Sequence, residues 1–176
     1  CTVNIFYLDP DPQTCAQMHV SKHVVKMIIE YAQLLSTAHR VIDGQEYTDL
    51  TANGRRIKRW RLDDDRELSL YKATHINHPC SVWARQSSAN VRWLAALLIK
   101  LGDQYTMRYL KSHKSVDVGV NAAWLAIKHM PDIGLTPFAQ AMPDEYKSDD
   151  PVASYRAYYR SKPFVSWDRA VTPNWW

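Results

Sequence analysis

Residues 14–40 read TCAQMHVSKHVVKMIIEYAQLLSTAHR and contain neither glycine nor proline. Within them Val24, Val25, Ile28, Ala32 and Leu35 recur at the three- and four-residue spacing of an apolar helix face. The spacing predicts one long helix over the whole stretch, and that helix decides the fold class. Upstream, Val3-Asn4-Ile5-Phe6-Tyr7-Leu8 reads as a short extended segment. Asp9-Pro10-Asp11-Pro12 ends it, because each proline biases its predecessor away from helical backbone. Downstream, residues 42–65 hold Gly44, Gly54 and two clusters of small polar residues, so a long surface loop is expected there.

Further helical stretches are expected from about Glu67 to Thr74, from Ser81 to about Lys111 and from Val120 to His129, where Pro131 stops the last of them. Beyond Leu135, five prolines punctuate a tail rich in Tyr and Trp, with one short helix near Val152 to Arg160. With no repeat and almost no alternating strand pattern, the chain reads as mainly α. It is expected to be one compact domain over residues 1–176, with a long N-terminal helix and an aromatic, basic strap over 136–176.

Composition narrows the function classes. With 176 residues, 46% hydrophobic and 23% charged, the chain has the makings of one globular core and excludes a disordered or collagen-like protein. Seven Trp and ten Tyr against three Phe put a polar edge on most aromatic rings, which suits a partly wet binding face. No run of about 18 apolar residues exists, so no membrane partner is expected, and no basic-then-apolar leader opens the sequence. Cys1, Cys15 and Cys80 form no metal-type pair and leave an odd thiol, which fits a reducing, cytoplasmic setting. A net charge of +4 permits an anionic partner without demanding one. Beginning at Cys1, the chain also fits removal of an initiator Met, which would leave a free α-amine on that residue.

The chemistry concentrates on the first helix. Residues there rotate by about 100° each, so His19, His23, Lys26, Glu30 and Thr37 fall within about 40° of one another, bordered by Lys22 and Gln33. Bulky apolar groups flank this narrow stripe, which reads as the floor of a cleft. An imidazole, an ammonium and a carboxylate side by side are the ingredients of general acid–base work. The other reading is an ordinary exposed helix with i,i+4 pairs. His19 and His23 with Glu30 resemble a metal spacing, but Lys26 between them opposes a divalent ion, and no metal or cofactor is expected.

Elsewhere, Asn77-His78-Pro79 opens a helix, where free backbone N–H groups attract phosphate. Arg85, Arg108 and Lys114 place cations along the next helix and its exit, and Arg108 with His113 stands in an R-x4-H spacing. That spacing resembles the ribonuclease motif of HEPN-type helical domains. In the tail, Tyr155, Arg156 and their neighbours interleave aromatics with cations, the composition that stacks bases and holds phosphates. The basic run Arg55–Arg61, followed by Asp63-Asp64-Asp65, reads as a solvated face whose charges pair.

Taken in order, Val3–Leu8, a helix carrying basic residues and Glu30, then Asn77-His78-Pro79 before another long helix resemble small phage proteins akin to the pyrimidine-dimer DNA glycosylases of the endonuclease V type. The resemblance covers about the first two-thirds of the chain. It implies a compact all-α fold that extrudes a nucleotide from duplex DNA. It also implies the amine of Cys1 as nucleophile at C1′ and Glu30 as acidic partner. Thr2, Val3 and Ile29 stand where that family carries arginines, and Lys22 and Lys26 are the nearest cations.

The expected function is therefore a DNA-processing enzyme of glycosylase or lyase type acting on a base or its glycosidic bond. Cys1, His23, Lys26 and Glu30 form its catalytic set, and Lys26 is the reserve imine-forming amine. His19, Lys22, Asn77, His78, Arg85, Arg108, His113, Lys114, Tyr155 and Arg156 are its expected nucleic-acid contacts, with DNA favoured over RNA. The alternatives are a non-catalytic DNA- or nucleotide-binding phage protein and a HEPN-like ribonuclease using Arg108 and His113.

Overall fold

The computed structural model describes residues 4–163 and 165–176. Its first surprise lies inside the stretch that decides the fold. Helix α1 spans Pro12–Met18 and α2 spans Ser21–Asp43, with His19 and Val20 both extended between them. Nothing local breaks the helix. The buried Arg108 guanidinium donates to the carbonyls of Gln17 and His19 at 2.9 and 2.8 Å, satisfying acceptors that a continuous helix would have used. The Val20 amide is taken by the Tyr159 hydroxyl and the Ser21 amide by the Ser166 carbonyl. Partners from distant parts of the chain thus outbid helix propensity at this point.

The stretch after α2 is more regular than expected. Strands β1 (Gln45–Leu50) and β2 (Arg56–Arg61) pair antiparallel, from Gln45 opposite Arg61 to Leu50 opposite Arg56. The turn between them uses Gly54 at φ +78, a left-handed conformation that glycine adopts at no steric cost. The basic run lies on β2, and its charges are met across the hairpin: Lys58 pairs with Glu46, and Arg61 lies over the Tyr47 ring. Asp64 does not serve the run; it pairs with Arg66.

Only a short helix, α3 (Arg66–Ser69), follows where a longer one is expected. The third helical stretch is split in two: α4 (Pro79–Ala84) and α5 (Ser88–Tyr109), with Ser87 capping α5 by accepting from the Asn90 amide. Helix α6 runs over Lys114–Trp124, earlier than the spacing around residues 120–129 predicts. A 3-10 turn (Asp144–Tyr146) and α7 (Pro151–Arg160) complete the order. The mainly α expectation holds, with one small two-stranded sheet added.

Helix α2 packs on α5 and α6 through Val24, Ile28, Leu34 and Leu35, which are buried with Leu94, Leu98 and Leu101. At the α5–α6 crossing Gly119 faces Leu98 and Gly102 faces Val116, so each helix receives a large side chain where the other has none. The C-terminal residues close this core. Phe138, Tyr155, Tyr159, Trp167 and Trp175 all pack against it, with Tyr159 on Phe6 and Phe138 and Tyr155 on Tyr7 of the extended N-terminal segment. Two buried arginines pin the loops that leave α2: Arg40 reaches the carbonyls of Trp60, Leu70 and Tyr71, and Arg66 binds Asp43 and Asp64.

Candidate active site

The two stripe histidines face different environments. His19 is fully buried, with Nδ1 2.8 Å from the Cys15 carbonyl and Nε2 2.7 Å from the Tyr31 hydroxyl. The carbonyl only accepts, so Nδ1 carries the proton and Nε2 accepts from Tyr31, whose oxygen in turn accepts from the Phe6 amide. His23 lies on the first turn of α2, stacked on Phe6 at 4.3 Å, with Nδ1 2.6 Å from the Tyr159 hydroxyl. That hydroxyl accepts from the Val20 amide, so its own proton goes to His23 Nδ1. The ring is then protonated at Nε2.

Burial holds both rings neutral: His19 is pulled down to about 4 and His23 to about 3, the latter also by its positive neighbours. Both values lie below that of an unfolded histidine, so the stabilisation is complete above pH of about 6.5 and drains away as the unfolded chain takes up protons the native one refuses. Each ring contributes a slope of up to about 1.4 kcal/mol per pH unit in that window. Urea unfolding followed from pH 7 to pH 4 is expected to show stability falling by several kcal/mol. A flat profile over that range would contradict the neutral, buried assignment.

Around His23 the charges converge. Lys22 and Lys26 on α2 and Lys162 after α7 all act on its ring, and His23, Lys22, Lys162 and Ser166 line a cavity of about 320 Å³. Lys22 and Lys26 are exposed, whereas Lys162 is half-buried, its Nζ 4.2 Å from the centre of the Tyr158 ring and 5.7 Å from that of Phe6. No described carboxylate forms an ion pair with any of these lysines.

One helical turn beyond Lys26, Glu30 is half-buried, and burial raises its carboxyl pKa against the opposing pull of Lys26 and His75. His75 comes from the loop before α4 and sits at φ +50, a conformation side chains other than glycine rarely adopt. Thr37, the last member of the stripe, is buried and accepts from the Thr74 amide at 3.1 Å; Thr74 in turn bonds His75 Nδ1 at 2.9 Å. The stripe therefore ends by holding a strained histidine beside its carboxylate.

The remaining expected site residues fall into three groups. Cys1 lies outside the described residues. Asn77 and Lys114 are exposed, His78 caps α4 through Nδ1, His113 caps α6 through Nδ1 with its ring edge-on to Tyr105, and Arg85 reaches Ser81. Four others are structural, which corrects their expected role in nucleic-acid contact. His19 is internal. Tyr155 is fully buried, its hydroxyl donating to the Ala139 carbonyl and accepting from the Ala141 amide. Arg156 is spent on the Leu8 carbonyl and Asp9. Arg108 is 1% exposed, and each of its guanidinium nitrogens is bonded inside the protein. Arg108 therefore presents no free donor at the surface, where the HEPN-like ribonuclease reading needs one.

His75, Tyr159 and Lys162 join the site without having been expected as site residues. Tyr159 and Lys162 sit more than 130 positions from His23 along the chain, and their own neighbourhood reads only as basic and aromatic. Among the described residues no three His, Cys, Asp or Glu side chains gather as a metal site. No described helix is long and apolar enough to cross a membrane. Compared with known proteins, the chain matches no family model, no curated protein and no solved structure.

Proposed function

We propose that the face formed by the first three turns of α2, the His75 loop and Lys162 binds the sugar–phosphate backbone of DNA and acts on a base or its glycosidic bond. The observation that carries this reading is the convergence of Lys22, Lys26 and Lys162 on one neutral histidine, one to two turns from a half-buried carboxylate. Lysines without carboxylate partners offer phosphate oxygens fixed positive charge, and His23 Nε2–H adds a directed donor. Glu30, held above the ordinary carboxylate range, is suited to take and return a proton as a bond at C1′ breaks. Lys26 lies between the two and acts on both. Cys15 and Cys80 are free and buried, in keeping with a cytoplasmic protein.

The test is incubation with duplex oligonucleotides carrying a single abasic or damaged nucleotide. Strand scission or base release at that position supports the reading. Salt-dependent binding with no product on any such duplex would reduce the protein to a DNA-binding module.

A further inference from the structure

The buried Arg108 guanidinium forms no ion pair with any described carboxylate. It is 1% exposed, and its nitrogens bond only to neutral oxygens: Gln104 Oε1 and the carbonyls of Gln17 and His19. Burial lowers its pKa against the opposing pull of Tyr109, Tyr159 and Asp168. Buried charges are as a rule paired, so a negative charge is missing here. Gln17 and Gln104 also line a cavity of about 580 Å³, which shares no lining residue with the one beside His23. It lies between α1, α5 and residues 169–174, with Met18, Met107, Val171 and Pro173 on its apolar wall.

Two donors face this space without a partner. Gln104 is 8% exposed, and its Oε1 accepts from Arg108 Nε at 3.2 Å. Its amide nitrogen has only Met107 Sδ, 4.0 Å away, which is too long for an effective hydrogen bond. Arg169 lines the same cavity and sits at φ +58, a conformation that residues other than glycine rarely adopt. Its Nη1 donates to the Arg108 carbonyl in the last turn of α5 at 2.8 Å, while Nε and Nη2 have no partner among the described residues. That open edge of the guanidinium matches a carboxylate through two parallel bonds. We propose that this cavity binds a small organic carboxylate with an apolar body, its charge held by Arg169 and the Gln104 amide and its body lying on Met18, Met107, Val171 and Pro173. The bond from Arg108 polarises the Gln104 amide and strengthens its N–H as a donor. No acid lines the cavity among the described residues, and its volume suits a small ligand. The two thioethers adapt to a chain or a ring. A phosphate would bring more charge and more acceptor oxygens than these donors serve.

The experiment is NMR of the whole protein labelled at its methionine methyl groups, titrated with octanoate, with octan-1-ol and with inorganic phosphate. Octanoate is expected to shift the Met18 and Met107 signals saturably and to leave Met27, buried on α2, unmoved. Octanol, with the same chain and no charge, is expected to bind at least about tenfold more weakly, the worth of one charge-assisted contact. Arg169→Ala should weaken octanoate by a similar factor. So should Met107→Glu, which alters a side chain that is 65% exposed and sets a carboxylate at the cavity. No saturable shift with octanoate overturns the inference, as does unchanged affinity in both variants. Octanol binding as tightly as octanoate would make this an apolar crevice, and phosphate shifting the same signals as strongly would make it a plain anion site; either result also overturns the proposal. All of these outcomes are independent of the DNA reading.

Discussion

Replacing Glu30 with glutamine is expected to lower the rate of bond cleavage at a damaged or abasic nucleotide by about 10²–10⁴-fold while leaving DNA affinity within about twofold. The amide keeps the size and hydrogen-bonding reach of the carboxyl but cannot accept a proton. In the structure the Glu30 carboxylate makes no hydrogen bond to any described residue, so the substitution removes a proton acceptor and no side-chain tie. The raised pKa adds a second signature. Carboxylates act as bases only when ionised, so activity should fall on acidification along a limb lying above the usual glutamate value, and the variant should lack that limb. Single-turnover kinetics against pH read both effects. Wild-type cleavage rates in Glu30→Gln would show that the carboxylate is a bystander.

The second large effect is on stability. Arg40 is 3% exposed and donates to five acceptors: the carbonyls of Trp60, Glu67, Leu70 and Tyr71, and the Glu67 carboxylate. It thereby ties the end of β2, helix α3 and the segment leading to Ala73 onto α2. Arg40→Met keeps most of the volume but leaves a carboxylate and four carbonyls without their donor. Breaking a buried charged network in this way costs about 3–5 kcal/mol, a large part of the total stability of about 5–15 kcal/mol available to a domain of this kind. Arg40→Lys is not expected to rescue it, because a single ammonium cannot replace the planar fork that spans these acceptors. Urea unfolding measures the loss; a change under about 1 kcal/mol would mean the carbonyls find other donors.

Much of the helical framework was legible because it is written in local spacing. The apolar period over Val24, Ile28, Ala32 and Leu35 gives α2 its buried face, and Pro151 with the following tail residues gives α7 its start. The break at His19–Val20 was not legible, since Arg108, Tyr159 and Ser166 cause it through bonds to residues 89 to 145 positions away. That break turns His19 into the core and leaves His23 at the cavity, dividing a stripe that looks uniform on a helical wheel. The β1–β2 hairpin was hidden for another reason. Its strands alternate exposed cations with half-buried Ile57, Arg59 and Trp60, so charge masks the period of two.

The site was half legible. Lys22, His23, Lys26 and Glu30 share a helix and so share a period. His75 and Lys162 reach the same face through a strained loop and through the last segment after α7, which no spacing announces. In the tail, an apparent base-stacking motif is mostly core: Tyr155 and Tyr159 are fully buried, and Arg156 is bonded to the backbone of Leu8. What the sequence displayed as a surface composition is the lid of an aromatic core, and Lys162, Pro163, Val165 and Ser166 carry it on to the wall of the cavity.

If the lysine-bearing face of α2 meets the DNA backbone as proposed, duplex affinity should depend on salt through Lys22 and Lys26. Fluorescence anisotropy titrations across a range of salt concentrations, on the wild type and on a Lys22→Ala/Lys26→Ala double variant, give the number of phosphate charges neutralised. Loss of two contacts should flatten the slope of log affinity against log salt by about 1.8 and weaken binding at every salt concentration. Identical affinity and identical slope in the two proteins would show that this face does not bind DNA.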